Sequence, residues 1–166
     1  MRRRPHSRYL PIPLALFIIT NLLLAACNDR PKTYTVGVIN LTSTLDDTVT
    51  GFKKGMAESG YIEGENITYL YEGATNTIET LDSVAQRLVE ADVDVILSIS
   101  TPAAQAAQRA TANTDIPVVF VPVTDPVGAG LVKSLKSPGG NMTGVTFGFQ
   151  EGPRLQWLLR IAPAIE

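Results

Sequence analysis

Val93-Asp94-Val95-Ile96-Leu97-Ser98-Ile99-Ser100-Thr101-Pro102-Ala103-Ala104 is the stretch that decides the fold. Its first seven residues form a short, β-branched apolar run. A strand that alternates between core and water reads differently; this one reads as buried on both faces. The run passes at once into helix signals. Thr101 stands at a cap position and Pro102 at the first helical position, where a missing N–H costs nothing. An alanine-rich stretch, Ala103 to Thr111, follows and can pack closely. A buried strand leading straight into a helix is half of a βαβ unit.

The same unit repeats on both sides. Upstream, Tyr34 to Asn40 reads as a strand and Leu41 to Leu45 as a polar loop. Asp46 or Asp47 then caps a helix with Val49, Phe52 and Met56 on one face, closed by Gly60. Asn66 to Tyr71 is a second strand. Asn76 with Glu79 three residues on has the form of a capping box. The helix it would open carries Ile78, Leu81, Val84, Ala85, Leu88 and Val89 on one side. Downstream, Ile116 to Val121 is a strand and Pro122 to Pro126 a loop. A short helix is expected around Gly128 to Leu135, and Ser137-Pro138-Gly139-Gly140 breaks the chain. Asn141 to Phe147 is a fifth strand, and Glu151 to Ile161 a final helix that carries Trp157, a residue for core or interface. Strands alternating with helices predict an α/β fold: a doubly wound, mainly parallel sheet covered on both faces.

The N-terminus has a different character. Arg2, Arg3, Arg4 and Arg8 precede an apolar stretch from Leu10 to Leu24, then Leu24-Ala25-Ala26-Cys27. A charged start, a short apolar core and small residues before a cut site mark a secretory signal. The apolar stretch is about 15 residues, short of the ~20 that span a bilayer as a helix. Leu-Ala-Ala-Cys resembles the bacterial lipobox, in which the cysteine is lipidated and becomes the first residue; Cys27 is the only cysteine in the chain. The expected organisation is a lipoprotein signal peptide over 1–26, a tether over 27–33 and one α/β domain over 34–166. The domain is then lipid-anchored in the cell envelope, on the outer face of the cytoplasmic membrane or in the periplasm.

Composition narrows the chemistry. Without the four signal arginines, ten Lys+Arg face sixteen Asp+Glu, a net charge of −6 with no basic block. That argues against nucleic acid as a partner. His6, the only histidine, lies in the signal. The domain therefore has no Ser-His or Cys-His pair and no zinc site built on His or Cys. Its glycines, at 128, 130, 139, 140 and 144 among others, fit neither a dinucleotide fingerprint nor a phosphate loop. No catalytic residues, metal ligands or cofactor are expected.

Ligands of such a sheet meet the loops at the carboxyl ends of the strands. Three qualify: Leu41 to Asp46, Ser100 to Ala103 and Pro122 to Val127. In the second, Ser100 and Thr101 offer hydroxyls and the following helix offers unpaired N–H groups with partial positive charge, a site for a carboxylate. Thr101 capping its own helix explains the same residues without a ligand. In the third, Thr124 and Asp125 offer an acceptor for an ammonium group or a sugar hydroxyl, or only a turn. Thr101 and Asp125 together would suit the two ends of a zwitterion.

Six motifs occur in order: Gly51-Phe-Lys-Lys-Gly55, Gly60-Tyr-Ile-Glu-Gly64, Thr101-Pro-Ala-Ala-Gln105, Ile116-Pro-Val-Val-Phe120, Val123-Thr-Asp-Pro-Val127 and Pro138-Gly-Gly-Asn-Met-Thr-Gly144. The series resembles the ABC-transporter substrate-binding lipoproteins of the tryptophan/tyrosine-type uptake family, from about Tyr34 to Pro163. The resemblance implies a type I periplasmic-binding fold, two α/β lobes joined by a hinge and closing on a ligand. It implies an aromatic amino acid or similar small solute as ligand and an ABC permease as partner. It also implies Thr101 and Ala103 at the ligand carboxylate, Thr124 and Asp125 near the amino group, and Leu45 and Asp46 lining the cleft. Family members run to about twice this length, so 34–166 corresponds to the N-terminal lobe and the second lobe is expected to be missing. The rival reading is a membrane-tethered domain that senses a ligand and signals to a partner protein; the lipobox favours the transport receptor. A flavodoxin-like enzyme is weakened by the missing histidine, reactive cysteine and phosphate loop.

Overall fold

Five short runs rich in β-branched residues pair side by side into one parallel sheet in the order β2-β1-β3-β4-β5. The computed structural model describes residues 32–147 with Gln156, Trp157, Arg160 and Ile161. The signal segment, Cys27, most of the tether and most of the helix expected over Glu151 to Ile161 lie outside the described residues. The strands are β1 (Tyr34–Asn40), β2 (Ile67–Leu70), β3 (Val95–Ile99), β4 (Val118–Val123) and β5 (Met142–Thr146). Helices α1 (Asp46–Glu58), α2 (Leu81–Glu90) and α3 (Thr101–Ala110) follow β1, β2 and β3. The α/β, parallel, two-faced architecture read from the sequence is the one observed.

Alternation splits the three central strands, β1, β3 and β4, between two cores. Val36, Val38, Leu97 and Ile99 meet Val49 of α1, with Phe52 and Met56 packed against them. Ile39, Ile96, Val118 and Phe120 meet Leu81, Ala85 and Leu88 of α2 and Ala103, Ala104, Ala106 and Ala107 of α3. Each fully buried Val, Leu or Ile contributes about 1.5–3 kcal/mol. Alanines let α3 lie close on the sheet, and a bare strand backbone does the same for α2. A Cβ placed on Gly37 of β1 would stand 2.8 Å from Cδ1 of Leu88.

Chain direction follows from crossover handedness. A right-handed crossover from β1 leftwards to β2 puts α1 on one face. Crossovers from β2 to β3 and β3 to β4 run the other way and put α2 and α3 on the opposite face. The reversal falls between β1 and β3, where the loops leaving neighbouring strands part to opposite faces and open a crevice.

Several local expectations are corrected. The cap of α3 is Ser100, with φ 94° and ψ 159°, and Thr101 and Pro102 form its first turn. Proline is tolerated one residue later than expected because first-turn N–H groups have no helical acceptor in any case. Asp46 is the first residue of α1 and does not cap it; the cap position is Leu45, without a side-chain bond. The capping box at Asn76 and Glu79 does not form. Asn76 has φ 58°, its amide donates to the Ala74 carbonyl at 3.2 Å, and α2 starts only at Leu81. Ile78 is accordingly 59% exposed. No helix forms over Gly128 to Leu135. Turns closed by Asp125 and Pro126 carbonyls take its place, and Gly130 sits at φ 72°. The segment still buries Leu131 and Val132. β4 runs past the expected end at Val121 through Pro122, where the pairing with β5 shifts register. Pro122 has no N–H for the ladder, which suits an irregularity there. β5 ends at Thr146, one residue short of the expected span, and Phe147 is 64% exposed. Trp157 is helical and 61% exposed, stacked on by Arg160 at 5.4 Å, so it is not part of this core.

Candidate functional site

β1, β3 and β4 are consecutive in the sheet, so their outgoing loops share one edge. Asn40 pairs with Ile99, and the Ser100 N–H donates to the Val121 carbonyl at 3.2 Å. With strands ~4.8 Å apart, the three loops begin within about 10 Å of one another. Leu41–Asp46 and Ser100–Ala103 flank the crevice between β1 and β3, and Pro122–Val127 lies one strand further on.

The first loop is a single tight turn, Ser43–Leu45, started by Thr42, whose hydroxyl accepts from the Thr44 N–H at 3.4 Å. Leu45 is half-buried against the α1 core. Asp46, also half-buried, is tied inward. Its Oδ1 accepts from the Tyr71 hydroxyl at 2.6 Å and from the Asn40 Nδ2 at 2.8 Å. Asn40 is buried, and its Oδ1 accepts from the Thr42 N–H at 3.2 Å. Burial raises the Tyr71 phenol above its usual 10.0, and donation to Asp46 adds to the rise.

The second loop turns on Ser100. A non-glycine residue at φ 94° and ψ 159° occupies a region that is essentially glycine's, a strain of order 1–3 kcal/mol that persists only where the surroundings enforce it. The Ser100 hydroxyl accepts from the Ala103 N–H at 3.5 Å, a long cap. Ala103 is fully buried, while Thr101 is half-exposed beside the helix start. The positive end of a ten-residue helix therefore opens at the edge of the crevice.

In the third loop, Thr124 is exposed and its carbonyl accepts from the Thr146 hydroxyl at 2.9 Å. Asp125 is half-buried, and its Oδ1 accepts from the Gly128 N–H at 2.8 Å. Asp125 thus closes a turn, and among the described residues its Oδ2 receives no hydrogen bond.

All seven residues named from the sequence, Leu45, Asp46, Ser100, Thr101, Ala103, Thr124 and Asp125, stand in these three loops at the carboxyl edge. Two that matter to the geometry, Asn40 and Tyr71, were missed. The signal for Asn40 was an amide closing an otherwise apolar strand. Nothing local marks Tyr71, which reaches Asp46 across 25 positions of sequence. Chemically the edge offers donors near Thr101 and acceptors at Asp46 and Asp125. It is an open wall, and among the described residues no cluster of His, Cys, Asp and Glu suits a metal ion.

A doubly wound parallel sheet with its polar loops gathered at one edge is the architecture of periplasmic-binding-type proteins. The chain belongs to the ABC transporter substrate binding protein family, whose profile matches residues 35–153. A curated relative, the tyrosine-binding protein of Clostridioides difficile strain R20291, is 43% identical over 120 residues, which cover 71% of this chain and 34% of that one. The ligand-free, open structure of a substrate binding protein with adhesive properties from Clostridium difficile superposes with a TM-score of 0.67 at 39% identity, covering 80% of this chain and 44% of the other. The domain of a Streptococcus pneumonia ABC protein in complex with L-Trp gives a TM-score of 0.64 at 35% identity, covering 69% and 39%. The chain thus spans less than half the length of these relatives.

Proposed function

We propose that the chain is the ligand-binding N-terminal lobe of an extracytoplasmic solute receptor that captures an amino acid and hands it to an ABC permease. The observation that carries this reading is the pairing of opposite chemistries along one edge. The α3 N-terminus with Thr101 suits a carboxylate, and Asp46 and Asp125, on loops that leave neighbouring strands, suit an ammonium group. Relatives that bind tyrosine and tryptophan favour an aromatic side chain between those ends. Thr101 and Ala103 take the carboxylate, Thr124 and Asp125 the amino group, and Leu45 lines the wall.

The lobe binds and releases without performing a reaction, in keeping with a family of binding proteins. A single lobe offers one wall, and tight capture needs a second lobe closing across it. The Arg-rich start, the short apolar run and Leu24-Ala25-Ala26-Cys27 support cleavage before Cys27 and a lipid anchor there. The anchor would hold the receptor beside its permease. Metabolic labelling with a fatty acid tests this: label should enter the wild type and be lost in Cys27→Ser. Titration of the complete gene product with L-tyrosine and L-tryptophan tests the solute class.

A further inference from the structure

Two donors converge on one oxygen of Asp46, and this asymmetry has a use if the edge binds an amino acid. Asp46 opens a 13-residue helix, where the helix dipole already favours a negative charge. It needs no further partner for its own sake. Yet the Tyr71 hydroxyl donates to its Oδ1 at 2.6 Å, in the range of a charge-assisted bond, and Asn40 Nδ2 donates to the same oxygen at 2.8 Å. Asn40 Nδ2 also lies 3.2 Å from the Tyr71 hydroxyl, closing a triangle.

Asn40 has no freedom to turn away. It is 1% exposed, and the Thr42 N–H donates to its Oδ1 at 3.2 Å, so its amide faces Asp46 with nitrogen and Thr42 with oxygen. The Tyr71 side is braced as well. The Thr75 N–H donates to the Asn40 carbonyl at 3.0 Å and the Asn76 N–H to the Leu41 carbonyl at 2.8 Å, tying the segment after β2 to the end of β1. Among the described residues Oδ2 of Asp46 receives no hydrogen bond.

We propose that Asn40 and Tyr71 are positioning residues: they lock Oδ1 of Asp46 and leave Oδ2 to accept from the amino group of the bound amino acid. Asp46 then supplies the ammonium contact from the β1 side of the crevice, opposite the carboxylate end at Thr101. This rests on the amino-acid reading above. If the triangle only pinned α1 to the sheet, its loss would weaken every ligand alike.

The test uses the complete gene product and two pairs of probes, L-tyrosine with 3-(4-hydroxyphenyl)propionate and L-tryptophan with indole-3-propionate, read by calorimetry. Tyr71→Phe keeps the ring and removes the hydroxyl. It should weaken the amino acids about tenfold, the scale of a bond to a charged group, and leave the des-amino acids unchanged. Asn40→Ala should show the same selectivity, which guards against a folding failure of either variant. In an Asp46→Asn background, Tyr71→Phe should cost no further affinity for the amino acids. Equal losses for both probe types, additive losses in the Asp46→Asn background, or no loss at all overturn the proposal while the solute reading stands. A wild type that binds neither amino acid overturns both.

Discussion

Oδ1 of Asp125 accepts a hydrogen bond from the backbone N–H of Gly128 at 2.8 Å, so the carboxylate proposed for the ligand's amino group also holds its own loop closed. The two tasks are separable. Asp125→Asn keeps an acceptor for Gly128 and removes the charge. It should leave the thermal midpoint nearly unchanged and weaken amine-bearing ligands by more than about 1 kcal/mol. Asp125→Ala should lose both, with about 1 kcal/mol of stability gone as well. A side chain at Gly128 would run into the Asp125 carboxylate, so Gly128→Ala should resemble Asp125→Ala in a thermal melt.

Ser100 at φ 94° gives an expectation of unusual sign for a site residue. Glycine takes this conformation without strain, and at a cap position serine to glycine costs only a few tenths of a kcal/mol. Ser100→Gly should therefore raise the urea midpoint. Ser100→Ala keeps the strain, loses the cap and should lower it. A Ser100→Gly protein less stable than Ser100→Ala would mean that the backbone there is not strained.

Leu88 against Gly37 sets a packing test. Leu88→Ala should cost about 2–5 kcal/mol as a cavity under the sheet. Gly37→Ala should cost about 1–3 kcal/mol by crowding Leu88. Because the new methyl group would occupy space that Leu88 fills, the double variant should be more stable than the sum of the two losses indicates. Strict additivity in urea unfolding would contradict the contact.

Tyr71 and Tyr69 should make stability fall in alkali. Burial raises both phenols above 10.0, so the folded chain keeps protons that the unfolded chain releases. Their contribution is whole below pH 10 and is lost as pH climbs from 10 through the folded values. The urea midpoint should drop as the pH rises above 10, and less steeply in Tyr71→Phe.

The central strands were legible because each is a short, largely apolar, β-branched run, and β1 matches its expected span Tyr34 to Asn40 to the residue. The loops were legible as places, since each follows the end of an apolar strand, β1, β3 or β4. What was hidden is long-range. Tyr71 reads as the end of a strand, and only the parallel pairing of β2 with β1 brings it to Asp46. Thr101 before Pro102 reads as the cap, and the positive φ that selects Ser100 instead has no sequence mark in a non-glycine residue. The Gly128 to Leu135 segment carries helix-like apolar spacing, but Gly128, Gly130 and the Asp125 cap favour successive turns.

Calorimetric titration of the complete gene product with L-tyrosine, L-tryptophan and a set of sugars bears most directly on the whole reading. Saturable binding of an aromatic amino acid, abolished or strongly weakened when Thr101 is replaced by valine, is the expected result. A clear response to a sugar with none to any amino acid would contradict it.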